Sequence, residues 1–377
     1  MTTARIKRFL SSVATYTAVI ALTLLAVDVG CMVFGLFPPT RNPGDPELGW
    51  RSASPTGRMS FGQCTEFSTG EVFRYSRNED GVRTALSRGA IMADSTHIRI
   101  GVTGDSQTDL CAPNESIHSG VLESTLTSRG VPAEALTFGS GRYSPLQAYL
   151  AFREVLRPYR PLVLVLNVYT GNDFYDILRV DDRPHFVATD SGYRIASPVW
   201  FSLDDPAMRP RSRVLFALRS LTDKIGVRGL YFRMTALRQL GVQQGGGAFA
   251  VIAYMRDLWK AREPSVGYSD AFSAQILNQQ LFFKHFPGSR EESIRRMRAL
   301  LALIREENGG MILVLSPLPS YELTDQQPVD SALLVTLDRL RLGRQDGIRE
   351  EGALYDQLRT MAAEEGWIFV DNLTALR

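Results

Sequence analysis

Leu162-Val163-Leu164-Val165-Leu166-Asn167-Val168 is the stretch on which the fold turns. Six of its seven residues are apolar, so both faces of its pleat are apolar. A strand with one wet face alternates; a continuous apolar run belongs to a sheet covered on both sides, as parallel sheets are. Working outward, Ile98–Thr103, Ala135–Phe138, Met311–Leu315 and Trp367–Val370 read as four more short strands. Helical segments separate them. One is predicted over Ile117–Ser128, closed by Gly130, and one over Pro145–Leu156, with proline at its start. A third opens on the capping-box pattern Ser289-Arg290-Glu291-Glu292 and runs to Glu307 before Gly309-Gly310; a fourth covers Ala353–Glu365. The alternation predicts an α/β fold with a doubly wound, flavodoxin-like, five-stranded parallel sheet and ligands at the carboxyl ends of its strands.

The flanks divide the 377 residues further. Arg5, Lys7 and Arg8 precede nineteen uncharged residues, Phe9 to Val27. As a helix at about 1.5 Å per residue, this run matches a bilayer core of roughly 30 Å. Residues 1–39 therefore read as a cytoplasmic stub and transmembrane signal-anchor, with the remainder outside the cytoplasm by the positive-inside rule. The rival reading is a cleaved signal peptide; Asp28 stands where a lipoprotein pattern ending at Cys31 asks for an apolar residue. Residues 40–97 form an extracytoplasmic lead-in, with a strand over Glu71–Tyr75 and a turn at Asn78–Gly81. Residues 98–377 form the α/β domain. It carries a hairpin around Asp190-Ser191-Gly192 and a helical insertion over about 200–286, broken at Gln244–Gly247.

Composition excludes several classes of function. The 42 Lys and Arg against 40 Asp and Glu leave a net charge of +2, too weak a field for a nucleic-acid partner. Three cysteines, at 31, 64 and 111, match no zinc pattern, and neither a metal nor an organic cofactor is expected. Outside the cytoplasm Cys64 and Cys111 can pair or remain separate buried thiols.

Three short segments sit at strand carboxyl ends. Gly104-Asp105-Ser106-Gln107-Thr108 follows the first strand and lifts a serine hydroxyl above the sheet. Phe138-Gly139-Ser140-Gly141-Arg142-Tyr143 follows the second, where small residues let backbone N–H groups approach a ligand. Gly171-Asn172-Asp173 follows the third and offers an uncharged amide donor for an oxygen gaining negative charge. Singly, each also reads as an ordinary turn or helix cap.

In this order the three segments resemble the SGNH (GDSL-type) hydrolase family. Residues 137–147, Thr-Phe-Gly-Ser-Gly-Arg-Tyr-Ser-Pro-Leu-Gln, resemble its Asn-x-Gly-x-x-Gly-Tyr-x-x-x-Gln block. Thr137 stands in place of Asn, and Arg142 in place of the oxyanion glycine. Asn78…Gly81-Val82-Arg83 resembles the pre-sheet segment of membrane-anchored, exported members, so the likeness spans roughly residues 70–377. It implies that Ser106 is the nucleophile. The oxyanion donors would be the N–H of Ser106, the N–H of Gly141 or Arg142, and the Asn172 side chain, with Asp105 holding the serine turn. The implied activity is a serine esterase on ester-linked acyl groups, with envelope polysaccharide as substrate and the membrane engaged through the amino-terminal helix. An O-acetyltransferase is an alternative.

The family's closing Asp-x-x-His is not found after the last strand, where Asp371-Asn372-Leu373 follows instead. The four histidines are His97, His118, His185 and His285. Asp94-Ser95-Thr96-His97 belongs at the far end of the sheet from Ser106. Asp182-Arg183-Pro184-His185 lies on the correct side, and His118 and His285 read as packed or surface histidines. A serine without its base loses several orders of magnitude in rate. The second expectation is therefore a truncated or degenerate, non-catalytic envelope protein that binds carbohydrate or a partner.

Overall fold

The computed structural model describes residues 15–16, 19, 23, 44–45, 47–50, 58–65, 70–179, 183–197, 248–261, 279–320 and 344–376. Two short antiparallel pairs come first: β1 (Gly44–Asp45) with β2 (Gly49–Trp50), and β3 (Ser60–Thr65) with β4 (Val72–Arg77). The central sheet contains β5 (Ile98–Gly104), β6 (Ala133–Gly139), β7 (Val163–Tyr169), β10 (Ile312–Leu318) and β11 (Ile368–Phe369). Its order is β11-β10-β7-β5-β6, and every neighbouring pair is parallel. In chain order this is 2-1-3-4-5, the flavodoxin-like arrangement, with its switch point between β5 and β7. A hairpin of β8 (His185–Thr189) and β9 (Gly192–Ala196) stands apart, where the sequence placed one.

The period of two along β7 explains its unbroken apolar run. Leu164, Leu166 and Val168 enter the larger core, with Leu136 and Phe138 of β6 and Leu313 and Leu315 of β10. Val163 and Val165 point to the other face and pack on Ile100, Val102, Ala133 and Ala135. The larger core is roofed by the helices Pro145–Ala151, Gly288–Glu307 and Arg344–Glu364. Leu122 and Leu126 of the helix His118–Ser128 cover part of the second face. Beside them a cavity of about 500 Å³ is lined by Val163, Val165, Val314 and Leu318, with Asn372 and Leu376 at its rim.

Helix boundaries follow local chemistry, with two departures. The capping box expected at Ser289–Glu292 does not form: Pro287 occupies the cap, Ser289 Oγ donates to Phe286 O, and Glu292 pairs with Arg295 and Arg296. A capping box does form at Ser144, whose hydroxyl accepts from Gln147 N while Gln147 Oε1 accepts from Ser144 N. The helix predicted over Pro145–Leu156 is α-helical only to Ala151 and continues as a π-helical turn, Phe152–Leu156.

Among the described residues no helix is long and apolar enough to cross a membrane. The run Phe9–Val27 lies outside the described residues except at Thr15, Tyr16, Val19 and Thr23, which are helical. Of the insertion expected over 200–286, the helix Ala248–Ala261 and the helical residues 279–285 are described.

The lead-in packs directly on the sheet. Leu48 and Val82 join the larger core, and Arg83 N–H donates to Thr137 O at 2.8 Å at the free edge of β6. Arg77 and Arg83 converge on Asp109, at 2.7 and 3.1 Å, just beyond the Ser106 turn. A disulfide joins Cys64 to Cys111 with Cα atoms 5.7 Å apart, so the pairing left open by the sequence is made. It closes a separation of 47 residues. By chain entropy, the Cys64→Ser/Cys111→Ser variant is expected to lose roughly 2–4 kcal/mol in urea unfolding. A reductant should lower the wild-type curve and leave the variant's unchanged.

Candidate active site

Two glycines bring the first two segments together. Gly104 and Gly139 are register partners where β5 and β6 end. A Cβ on Gly139 would lie 3.0 Å from Gly104 O and 3.1 Å from Asp105 O, and one on Gly104 would meet Thr108 Oγ1 at 2.1 Å. At Gly139 a Cβ would press on backbone, and at Gly104 it would displace the Thr108 side chain. The turns that follow therefore face each other: a Cβ on Gly141 would stand 4.0 Å from Ser106 Cβ. Ser106 is half-buried, whereas Gly141 and Arg142 are exposed.

The Ser106 turn is held from three sides. Thr108 N–H and Asp109 N–H both donate to Asp105 O at 3.1 Å. Gln107 N–H donates to Asp105 Oδ1 at 2.8 Å. Asn167 Nδ2 of β7 donates to Thr108 Oγ1 at 2.9 Å across the switch point. Asp105 thus has the turn-holding part that the resemblance implies.

The second turn has a strained residue. Tyr143 N–H donates to Ser140 O at 3.1 Å, which closes a four-residue turn, and Arg142 has φ 72° at its third position. That is the glycine position of a type II turn. Arginine therefore stands in a backbone conformation suited to the glycine whose place it takes in the family pattern.

Asn172 follows β7 and begins the short helix Asp173–Asp176. It is buried and makes no side-chain cap, so the Asx-cap alternative does not apply. Its Nδ2 donates instead to Asp176 Oδ2 at 3.1 Å, while Oδ1 is buried without a hydrogen-bond partner among the described residues. One of the two N–H groups of the amide expected to face an oxyanion is thus given to a carboxylate.

None of the four histidines hydrogen-bonds Ser106. His97 pairs with Asp94 before β5, at the opposite end of the sheet, as its position in sequence requires. His118 starts the helix His118–Ser128 and lines the cavity on the second face. His285 Nε2 lies 2.9 Å from Asp257 Oδ2, joining the helical residues 279–285 to Ala248–Ala261. His185 Nδ1 is 3.2 Å from Arg183 O; Asp182, its partner in the Asp-x-x-His pattern, lies outside the described residues. Among the described residues no group of acidic, histidine and cysteine side chains is arranged to hold a metal ion.

The sequence reading missed the charges under this site. Asp173 and Asp176 are buried with Asp105, and Arg183 Nη1 pairs with Asp176 Oδ1 at 2.9 Å. The signal available was the spacing Asp173…Asp176 among Phe174, Tyr175 and Ile177, which sets two acids in an apolar helix start.

Family models, curated proteins and solved structures were compared with the chain, and none matches it. What the site can do rests on its own chemistry: a hydroxyl at a parallel strand end, opposed by the exposed turn at Gly141 and Arg142.

Arg142 supplies a direct check on that turn. A left-handed conformation costs roughly 1–2 kcal/mol for residues with a Cβ, and is worst for β-branched ones. Arg142→Gly is expected to be at least as stable as the wild type in urea unfolding. Arg142→Val is expected to be about 1–2 kcal/mol less stable.

Proposed function

We propose that the chain is a membrane-anchored, exported serine esterase of the SGNH type. Its substrates would be ester-linked acyl groups, with acylated envelope polysaccharide as the substrate class. Ser106 Oγ attacks the ester carbonyl carbon, the alcohol leaves with a proton, and water releases the acid from the acyl-enzyme. Transfer to a sugar hydroxyl in place of water would make the same site an O-acetyltransferase. The observation that carries this reading is that the Gly141 turn faces Ser106 at adjacent strand ends, where a Cβ on Gly141 would stand 4.0 Å from Ser106 Cβ. In the proposed reaction a backbone N–H of that turn would meet the charge that develops on the ester carbonyl oxygen. The flavodoxin-like strand order supports it, because ligands of such sheets sit at the carboxyl ends beside the switch point. The Cys64–Cys111 disulfide supports an oxidising, extracytoplasmic setting.

One observation favours a second reading, a non-catalytic envelope protein that binds carbohydrate or a partner. None of the four histidines hydrogen-bonds Ser106. A fluorophosphonate probe separates the two. The enzyme reading expects labelling and p-nitrophenyl acetate hydrolysis by the wild type, with both lost in Ser106→Ala. Asn172→Ala should reduce the rate about 100- to 1,000-fold. Unlabelled wild-type protein, or equal labelling of Ser106→Ala, would leave the non-catalytic reading.

A further inference from the structure

Beneath the Ser106 turn lies a cluster that the proposed chemistry does not use. Asp105 follows β5, Asp173 and Asp176 follow Asn172, and Arg183 precedes β8; they are 3%, 1%, 5% and 1% exposed. Asp176 is well supplied: Oδ1 pairs with Arg183 at 2.9 Å and Oδ2 accepts from Asn172 Nδ2 at 3.1 Å. The other two carboxyls are half satisfied. Asp105 Oδ1 accepts from Gln107 N at 2.8 Å, and Asp173 Oδ2 from Tyr169 N at 2.7 Å. Asp105 Oδ2 and Asp173 Oδ1 are buried with no hydrogen-bond partner among the described residues.

The charges do not balance. Among the described residues three carboxylates face one buried guanidinium. Arg179 reaches Asp176 only at 3.5 Å from a more exposed position. On the helix Gly288–Glu307, which packs against this turn, Arg296 Nε pairs with Glu292 at 2.8 Å and only brushes Ile177 O at 3.5 Å. The helical residues 279–285 present the neutral Gln279 to Tyr175 N. An ionised carboxylate held in such a place without a partner is strongly disfavoured, and protonation is the ready response.

We infer that Asp105, Asp173 and Asp176 act as one proton-holding cluster, in which a carboxyl of the Asp105–Asp173 pair stays neutral at neutral pH and so lets the Ser106 and Asn172 turns lie together. The inference does not depend on Ser106 being a nucleophile. Burial, and then the charge of Asp176, push the Asp105 carboxyl up to about 7. Burial, and then the charges of Asp105 and Asp176, push Asp173 well above the usual carboxylate range.

The sign of the consequence follows from linkage. Groups raised in the folded state make it bind more protons than the unfolded chain, from about pH 4 up to the folded-state values. Their contribution to stability is complete below about pH 4 and is lost as pH rises through about 7.

The test is urea unfolding of the purified full chain at pH 5 and pH 8, together with Asp173→Asn, whose amide replaces the neutral acid. Wild-type protein is expected to have a lower unfolding midpoint at pH 8 than at pH 5, and the variant should lose at least half of that difference. Asp356→Asn, an exposed carboxylate on the helix Arg344–Glu364, should keep it. Parallel wild-type and Asp173→Asn profiles would overturn the inference. Should Asp173→Asn not fold, Asp105→Asn takes its place. Infrared spectra of the wild type at pH 7 then decide independently: a protonated-carboxyl band supports the cluster, and its absence refutes it.

Discussion

Two missing β-carbons set the geometry on which the site depends. At Gly104 and Gly139 the ends of β5 and β6 lie so close that a methyl group on Gly139 would press on Gly104 O and Asp105 O. Backbone cannot yield as a flexible side chain does, so a larger residue there must part the strands. Everything above the sheet inherits this spacing. The Ser106 turn leaves one glycine, the Gly141 turn leaves the other, and their approach continues that of the strands. On the far side, the Asn167–Thr108 hydrogen bond fixes the same turn to β7. Ser106 is therefore located by three adjacent strands, a more exacting support than a free loop offers.

The layout of the sheet was legible because hydrophobic period and strand order obey few alternatives. Leu164 and Val165 belong to different cores, and a run that satisfies both at once has little choice but a central parallel strand. Helix ends were less legible. Ser289 and Glu292 have capping-box spacing, yet Glu292 finds Arg295 and Arg296 one turn later, and a pair of guanidiniums outcompetes a backbone N–H. Ser144 and Gln147 carry the same spacing on either side of Pro145, and there both reciprocal hydrogen bonds form. The strain at Arg142 was visible in outline, since an arginine stood where the family pattern has glycine; its conformation needed coordinates.

The charges were the least legible part, and the reason is tertiary. In sequence Asp173 and Asp176 look like acids at the start of a helix, where such residues are commonly solvated and favourable. Here the helical residues 279–285 and the helix Gly288–Glu307 close over that start, and the Asp105 turn closes beneath it. A solvated cap thereby becomes a buried like-charge cluster. Glu351 shows the contrasting solution at the neighbouring strand ends. Its Oε1 accepts from the Thr170 hydroxyl and, at 2.8 Å, from Ser320 N, and its Oε2 accepts from the Ser320 hydroxyl, so each buried oxygen meets a donor.

That contrast bears on what the site is for. Buried ionic groups add little to stability and often subtract from it, because desolvation offsets their attraction. Glu351 ties β7 to the residues after β10 with its oxygens satisfied. Asp105 and Asp173 leave one oxygen each unsatisfied directly under a serine and an asparagine at strand ends. Strongly shifted carboxyls gather at functional sites more often than elsewhere. Asp176 also takes one N–H of the Asn172 amide, so a change in its protonation reaches that side chain directly. Asp105 holds the Ser106 turn through the Gln107 N–H, so a change in its protonation reaches the serine turn. The two turns and the proton count beneath them are in this way one system.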